Sequence, residues 1–296
     1  MSARLADITE VDIAAERERN PGAFGAPLRQ RLNAWMAWGG TTALTIYCLY
    51  RFGLLSGNFL HGVSKFGETV VAQMFPPAGY GDIPLFLKAM GETVAMAFLG
   101  TLLGAFVAFP FSFLASKNMT RSRPIQFATR RGADLLRAFD YLIWALIFVR
   151  AVGLGPLAGI MAIAIVETGT FIKLYSEAIE NLDRKQIDGV TSLGGNWLHK
   201  IWFGVLPQVL PMMLSNTLYM FEHNTRSATI LGIVGAGGIG FLLGDRLRAY
   251  ELREACLIII LVVLTVYAID YLSKFLREQL IGDHKRREPI DDAVQI

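Results

Sequence analysis

The feature that most constrains this chain is the gathering of its apolar residues into runs approaching the ~20 residues a helix needs to cross ~30 Å of hydrocarbon. Backbone N–H and C=O groups find no partner in lipid, so such runs must close their hydrogen bonds internally, as helices. Six candidate spans follow from the pattern, at about 34–54, 85–113, 133–152, 154–176, 203–222 and 254–275. The second is long enough to tilt or to contain a break, and Pro110 is the expected place for it. With 53% hydrophobic and 18% charged residues and a mean hydropathy of +0.42, the average residue is too apolar for a soluble domain of this size. The sequence therefore predicts an all-α, polytopic membrane protein with about six transmembrane helices.

Lysine and arginine placement sets the expected orientation. Arg29 and Arg31 precede the first span, and Lys117, Arg121, Arg123, Arg130 and Arg131 follow the second. Arg184, Lys185 and Lys200 follow the fourth, and Lys274, Arg277, Lys285, Arg286 and Arg287 follow the sixth. The alternate loops are poorer, so both termini are expected on the cytoplasmic side. The segment 223–253 breaks the rule, carrying Arg226, Arg246, Arg248 and Arg253 on the expected outer side. The net charge of +3 arises from these membrane-edge residues and gives no sign of a nucleic-acid partner. Two cysteines, Cys48 and Cys256, lie within apolar runs and make neither a metal quartet nor a disulfide framework. The mixed-charge first residues lack the apolar core of a signal peptide. The expected organisation is a cytoplasmic tail over 1–33, a first transmembrane helix and external loop over 34–84, a transmembrane core over 85–275, and a second cytoplasmic tail over 276–296.

The loop between the fourth and fifth spans, 177–200, is the most informative stretch. Asp183 with Gln186 three residues on resembles a capping box and starts a short helix near Arg184. Gly194 and Gly195 end it in a left-handed turn, and Asn196 caps the helix that re-enters the membrane. Ile187, Val190 and Leu193 recur along one side of this helix. Such a stripe on a water-facing loop needs a partner, either the protein's own helix ends or another chain.

The stretch resembles the EAA loop of ABC importer permeases, a Glu-Ala-Ala followed by a spaced Gly and a Leu-Pro. Asp188 stands for the Glu, Gly189 and Val190 for the two Ala, Gly194 for the Gly, and Leu206-Pro207 for the Leu-Pro. Both alanines are replaced and Gly204 stands at an Ile position, while the Gly-to-Pro spacing is intact. The resemblance implies a coupling helix that docks into a groove on a separate ATPase. The chain has no G-x-x-x-x-G-K-[ST] phosphate loop of its own.

A second motif, Gly235-Ala236-Gly237-Gly238-Ile239-Gly240, satisfies G-x-G-x-x-G. A dinucleotide site also needs a βαβ unit and an acidic residue about 20 positions on, where this chain has its sixth apolar run. Close helix packing, or a broken re-entrant segment, is the better physical reading of Gly235, Gly237, Gly238 and Gly240. With Phe221-Glu222-His223-Asn224-Thr225-Arg226 just before it, the stretch resembles the signature of phosphonate ABC-transporter permeases. Trp144 to Val149, Gly153-Leu154-Gly155-Pro156 and Pro110-Phe111-Ser112 support the same family, over most of residues 85–275. Two places depart from its pattern: Asp140-Tyr141, where a Pro-Glu pair is common, and Val166-Glu167, where a His-led polar pair is expected.

The resemblance implies a type I importer permease fold and a homodimer around a shared pathway for phosphonate, with phosphate and phosphite as open alternatives. It implies two ATPase subunits carrying ATP and magnesium, an extracytoplasmic phosphonate-binding protein, membrane lipid around it, no cofactor on this chain, and a place in the bacterial cytoplasmic membrane. Ionisable groups at membrane depth are costly and draw attention as pathway residues. Glu167, inside the fourth span, is either such a residue or a structural hydrogen-bonding group. Glu222 and Arg226 are i, i+4 neighbours, hence either a local ion pair or, with Arg226 near the outer mouth, an attractor of an anionic substrate. Asn216 and Asn224 join them as pathway candidates, an interhelical hydrogen bond being the favoured reading of Asn216. Pro207 and Pro211 are expected to kink the start of the fifth span. A permease for methionine or an alkylsulfonate, a passive channel, and a membrane enzyme are the rivals; for an enzyme, the four histidines, His61, His199, His223 and His284, are too scattered to converge.

Overall fold

The computed structural model describes residues 28–54, 57–120 and 122–286, all of whose regular elements are helical. Of the expected tails over 1–33 and 276–296, residues 1–27 and 287–296 lie outside the described residues. The chain divides into two compact units, one ending at Ala72 and one beginning at Gln73. The first holds α1 (Leu28–Arg51) and α2 (Gly57–Glu68). The second holds α3 (Ile83–Ala115), α4 (Arg123–Leu136), α5 (Tyr141–Val152), α6 (Pro156–Glu180), α7 (Arg184–Ser192), α8 (Leu206–Leu231), α9 (Gly238–Arg248) and α10 (Leu252–Arg286).

Among the described residues, four helical stretches are long and apolar enough to cross a membrane: Tyr80–Ala115, Pro156–Glu180, Trp197–Ala236 and Leu252–Gln279. They correspond to the second, fourth, fifth and sixth expected spans. The first expected span forms α1, whose 24 residues are long enough, but Arg29, Arg31, the glycines and the threonines keep it more polar than those four. The third differs more. The run 133–152 is two helices, because Asp140 caps a new one: its carboxylate accepts from the Leu142 N–H at 3.1 Å. The resulting α5 has 12 residues, about 18 Å at 1.5 Å per residue, and cannot cross alone. α4 and α5 instead follow one another along α6. Gly169 of α6 lies against the Ala133 carbonyl of α4, and Glu167 of α6 meets Tyr141 of α5. Trp144 Nε1 donates to the Leu136 carbonyl at 3.1 Å and ties the two pieces across the break.

α3 and α6 form the centre of the second unit. Gly100 and Gly104, one turn apart on α3, let α6 approach so closely that a Cβ at either would stand 2.7 Å from the Cβ of Ile163 or Glu167. Small residues at such a seam bring backbones into dispersion contact where water offers no driving force. Pro110 does not break α3, which runs through to Ala115. Its neighbours Ala108, Ser112 and Phe113 are buried and hold the helix in line, so the lost backbone bond is tolerated.

The irregular turns fall where proline and glycine permit them. Lys200–Val205 is a wide π-helical turn just before Leu206-Pro207, where the proline opens α8 without needing its missing N–H. Helical backbone then continues past the expected end at 222, and α8 closes in a second wide turn, Gly232–Ala236, containing Gly235 at φ +101°. α9 folds back against α8, with Gly240 seated on the Thr229 carbonyl and Gly232 on Gly237. The glycine run is therefore a helix break packed on its own helix, with no strand before it.

Of the arginines that broke the charge rule, Arg246 is the most heavily compensated. Arg246 lies among Asp82, Glu251 and Glu254, with nitrogen–oxygen distances of 3.9, 2.5 and 3.1 Å. The hydrogen bond to Glu251, with the carboxylates of Glu254 and Asp82 nearby, raises the Arg246 pKa above its ordinary value.

Candidate functional site

Two features stand apart from routine packing, one on the loop that carries α7 and one inside the helical core. In the loop, Asp183 caps α7 by accepting from the Lys185 N–H at 3.1 Å. The helix ends at Gly194, whose φ of +77° lies in the left-handed region that glycine adopts without strain. The Gly194 N–H donates to the Thr191 carbonyl at 2.9 Å and the Gly195 N–H to the Val190 carbonyl at 3.0 Å, the paired bonds of a Schellman ending. Asn196 then caps the turn Trp197–His199 through the His199 N–H at 3.3 Å. Local chemistry alone thus fixes where this helix starts and stops.

The apolar stripe on α7 is divided between two environments. Ile187 and Val190 are half-buried; Ile187 packs on the core that includes Ile201 and Val205, and Gly204 leaves room for the Ile187 backbone to approach. Leu193 is 90% exposed. Asp188 and Gly189 are also exposed, as is Pro207 at the start of α8. Beside α7 lies a cleft of 840 Å³, walled by Lys117, Met119 and Thr120 on one side and by Asp188, Thr191 and Trp197 on the other. Its far wall is fixed to α6: Asn118 Nδ2 donates to the Glu180 carbonyl at 3.0 Å, Arg130 pairs with the Glu180 carboxylate, and Trp197 Nε1 donates to the Met119 carbonyl at 3.2 Å. The segment after α3 is in this way bonded both to the end of α6 and to the turn that follows α7.

In the core, Glu167 and Asn224 are both fully buried. Glu167 Oε1 accepts from Tyr141 Oη at 2.7 Å and from Asn224 Nδ2 at 2.8 Å, and the same Nδ2 donates to Thr101 Oγ1 at 2.9 Å. One residue each from α3, α5, α6 and α8 therefore meets in a single polar cluster. Glu167 makes the structural hydrogen bonds expected of it, inside one chain's bundle. The interhelical role expected of Asn216 belongs to Asn224; Asn216 is half-buried and makes no side-chain hydrogen bond among the described residues.

Glu222 and Arg226 do form the local pair, at 2.9 Å, but Glu222 also holds Arg277 of α10 at 2.9 Å. Arg226 lies 3.8 Å from Asp270, also on α10. Both partners lie within the membrane-crossing stretch Leu252–Gln279 of α10. Sequence reasoning missed Tyr141, Thr101 and Arg277; Asp140, read as a helix cap, signals the first of these.

The match to the family of binding-protein-dependent transport system inner membrane components covers residues 100–281, which include α7, its cleft and the buried cluster. The chain belongs to this family. It is a membrane permease subunit of an ABC importer and not an enzyme. The permease is 38% identical over 216 residues to HtxC of Stutzerimonas stutzeri, covering 73% of this chain and 76% of that protein. It is 31% identical over 269 residues to the phosphite transport system permease protein PtxC of the same organism, covering 90% and 95% of the two chains. Against the phosphate-import permease protein PhnE of Mycolicibacterium smegmatis the identity is 36% over 258 residues, 86% of the permease but 48% of that longer chain. The fold is that of the permease in inward-facing structures of the MetNI methionine ABC transporter, with a TM-score of 0.61 at 17% identity, over 69% of this chain and 99% of that one.

Proposed function

We propose that this permease carries a phosphorus oxyanion (phosphonate, phosphite or phosphate) inward across the bacterial cytoplasmic membrane, with both termini on the cytoplasmic side. Likeness over nearly the full length of a phosphite permease carries this reading, since PtxC aligns with 90% of the chain. Two copies would enclose the pathway, and α7 of each would dock on an ATPase that supplies the bound ATP and magnesium. A fully exposed Leu193 at the tip of α7, beside a cleft of 840 Å³, supports that role: an apolar side chain and a concavity together fit a protein partner. ATP-driven approach of the two ATPases would then move α7 and, through Trp197 and Arg130, the ends of α3 and α6. An extracytoplasmic binding protein would deliver the oxyanion to the outward-facing pathway.

The test is reconstitution of the permease with its ATPase and binding protein in liposomes, measuring uptake of phosphonate, phosphite, phosphate and methionine. ATP-dependent uptake of a phosphorus oxyanion is expected, and uptake of methionine alone would overturn the substrate assignment. Leu193→Cys, probed with a membrane-impermeant thiol reagent, checks the docking surface separately. Labelling from the cytoplasmic side, blocked when the ATPase is bound, is expected; labelling from the outside would reverse the orientation.

A further inference from the structure

Glu167 is a buried acid to which neither docking nor transport assigns a use. Its side chain is 0% exposed, and no ion pair among the described residues reaches it. Every donor in its cluster is already committed. Tyr141 Oη and one hydrogen of Asn224 Nδ2 go to Glu167 Oε1, and the other Nδ2 hydrogen goes to Thr101 Oγ1. The Thr101 hydroxyl itself donates to the Ala97 carbonyl at 2.7 Å. Two acceptors are left over: Glu167 Oε2 and Asn224 Oδ1 have no partner among the described residues. Buried polar atoms of this kind are rare and each asks for an explanation.

A carboxylate there would also be a bare charge in an apolar bundle, which costs several kcal/mol. The surrounding elements offer it no compensation. α5 brings Asp140, of the same sign, next to Tyr141. α8 brings His223, whose ring faces that of Tyr141 at 6.5 Å instead of the carboxylate. α3 brings only Thr101 and Gly104.

One hydrogen resolves both problems. A protonated carboxyl is neutral and gains a donor, while Asn224 Oδ1 sits one covalent carbon away from the amide nitrogen already bonded to Glu167. We propose that Glu167 holds a proton in the folded permease, forming a neutral acid–amide pair with Asn224 that clasps α6 to α8. Tyr141 of α5 and Thr101 of α3 flank this pair, so the proton closes a lock joining all four helices.

Infrared spectroscopy of the full-length permease in liposomes at neutral pH tests this. A carbonyl stretch of a protonated carboxylic acid is expected in the wild type and lost in Glu167→Gln. Tyr141→Phe removes one hydrogen bond from that carbonyl and shifts the band to higher frequency, an assignment that holds even if Glu167→Gln fails to fold. Glu167→Gln, which keeps an acceptor and restores a donor without charge, should melt close to wild type, whereas Glu167→Ala should melt several degrees lower. A spectrum with no protonated-acid band responsive to either variant would overturn the proposal. So would a melting temperature that rises in sodium over choline chloride and loses that response in Glu167→Gln, since a bound cation would then supply the missing partner.

Discussion

The Gly195 N–H donates to the Val190 carbonyl across 3.0 Å, and Gly194 between them holds a φ of +77°. This pairing ends α7 where it ends, leaving Leu193 exposed at the tip. An alanine at Gly194 meets no neighbour within 4 Å, so its whole effect is backbone strain in the left-handed region, about 1–2 kcal/mol. Gly194→Ala is therefore expected to leave the assembled importer intact while fraying the end of α7. In proteoliposomes, ATP hydrolysis should persist while oxyanion uptake per ATP falls. Unchanged coupling would mean that the shape of this turn carries no force.

Gly240 and Gly244 lie one turn apart on α9 and make opposite demands. A Cβ at Gly240 would collide with the Thr229 carbonyl, which is backbone and cannot swing away. Gly240→Ala must push α9 off α8 and is expected to destabilise the permease by about 3 kcal/mol or more. A Cβ at Gly244 would meet Ile233 Cγ2 at 3.5 Å, an ordinary contact. Gly244→Ala should be neutral or stabilising by about 0.5–1 kcal/mol, because alanine restricts the unfolded chain. Melting curves of the two purified variants separate these outcomes.

What the sequence made legible here is local. Asp183, Gly194 and Asn196 announce α7 because capping needs only neighbours in the chain, and the long apolar runs announce α3, α6, α8 and α10 for the same reason. The break at Asp140 was legible only as chemistry; the apolar run around it reads as one span until the aspartate is taken as a cap. The buried cluster was not legible in full, because Asn224 reaches partners 123 and 57 residues away in the chain. Tyr141 and Glu167 each depart from the phosphonate-permease pattern, and the fold brings these two departures into one hydrogen bond of 2.7 Å. Two local oddities are thus one non-local pair.

Two asparagines of α8 provide a direct comparison of burial. Asn224 is fully buried and bridges α3 and α6, so Asn224→Ala strands Thr101 and Glu167 and should cost about 1–3 kcal/mol. Asn216 is half-buried and makes no side-chain hydrogen bond among the described residues, so Asn216→Ala should stay within about 0.5 kcal/mol of wild type. Thermal unfolding in one detergent checks both, and equal effects would contradict the ranking.

Glu222 joins two guanidinium groups, and the three residues should respond unequally to loss of charge. Its side chain is 13% exposed and holds Arg226 and Arg277 at 2.9 Å each, while the Arg277 guanidinium also lies 5.8 Å from the Tyr219 ring centre. Glu222→Gln leaves two arginines facing each other with no carboxylate between them, and should cost about 1–3 kcal/mol. Arg226 is 49% exposed, and its loss leaves Glu222 still paired with Arg277. Arg226→Gln should therefore change stability by about 0–1 kcal/mol, an effect that salt screens further. Because Arg226 is committed to Glu222 and Asp270, half-saturation of uptake is expected not to move in this variant. A higher substrate requirement with unchanged melting would instead identify Arg226 as an anion attractant in the pathway.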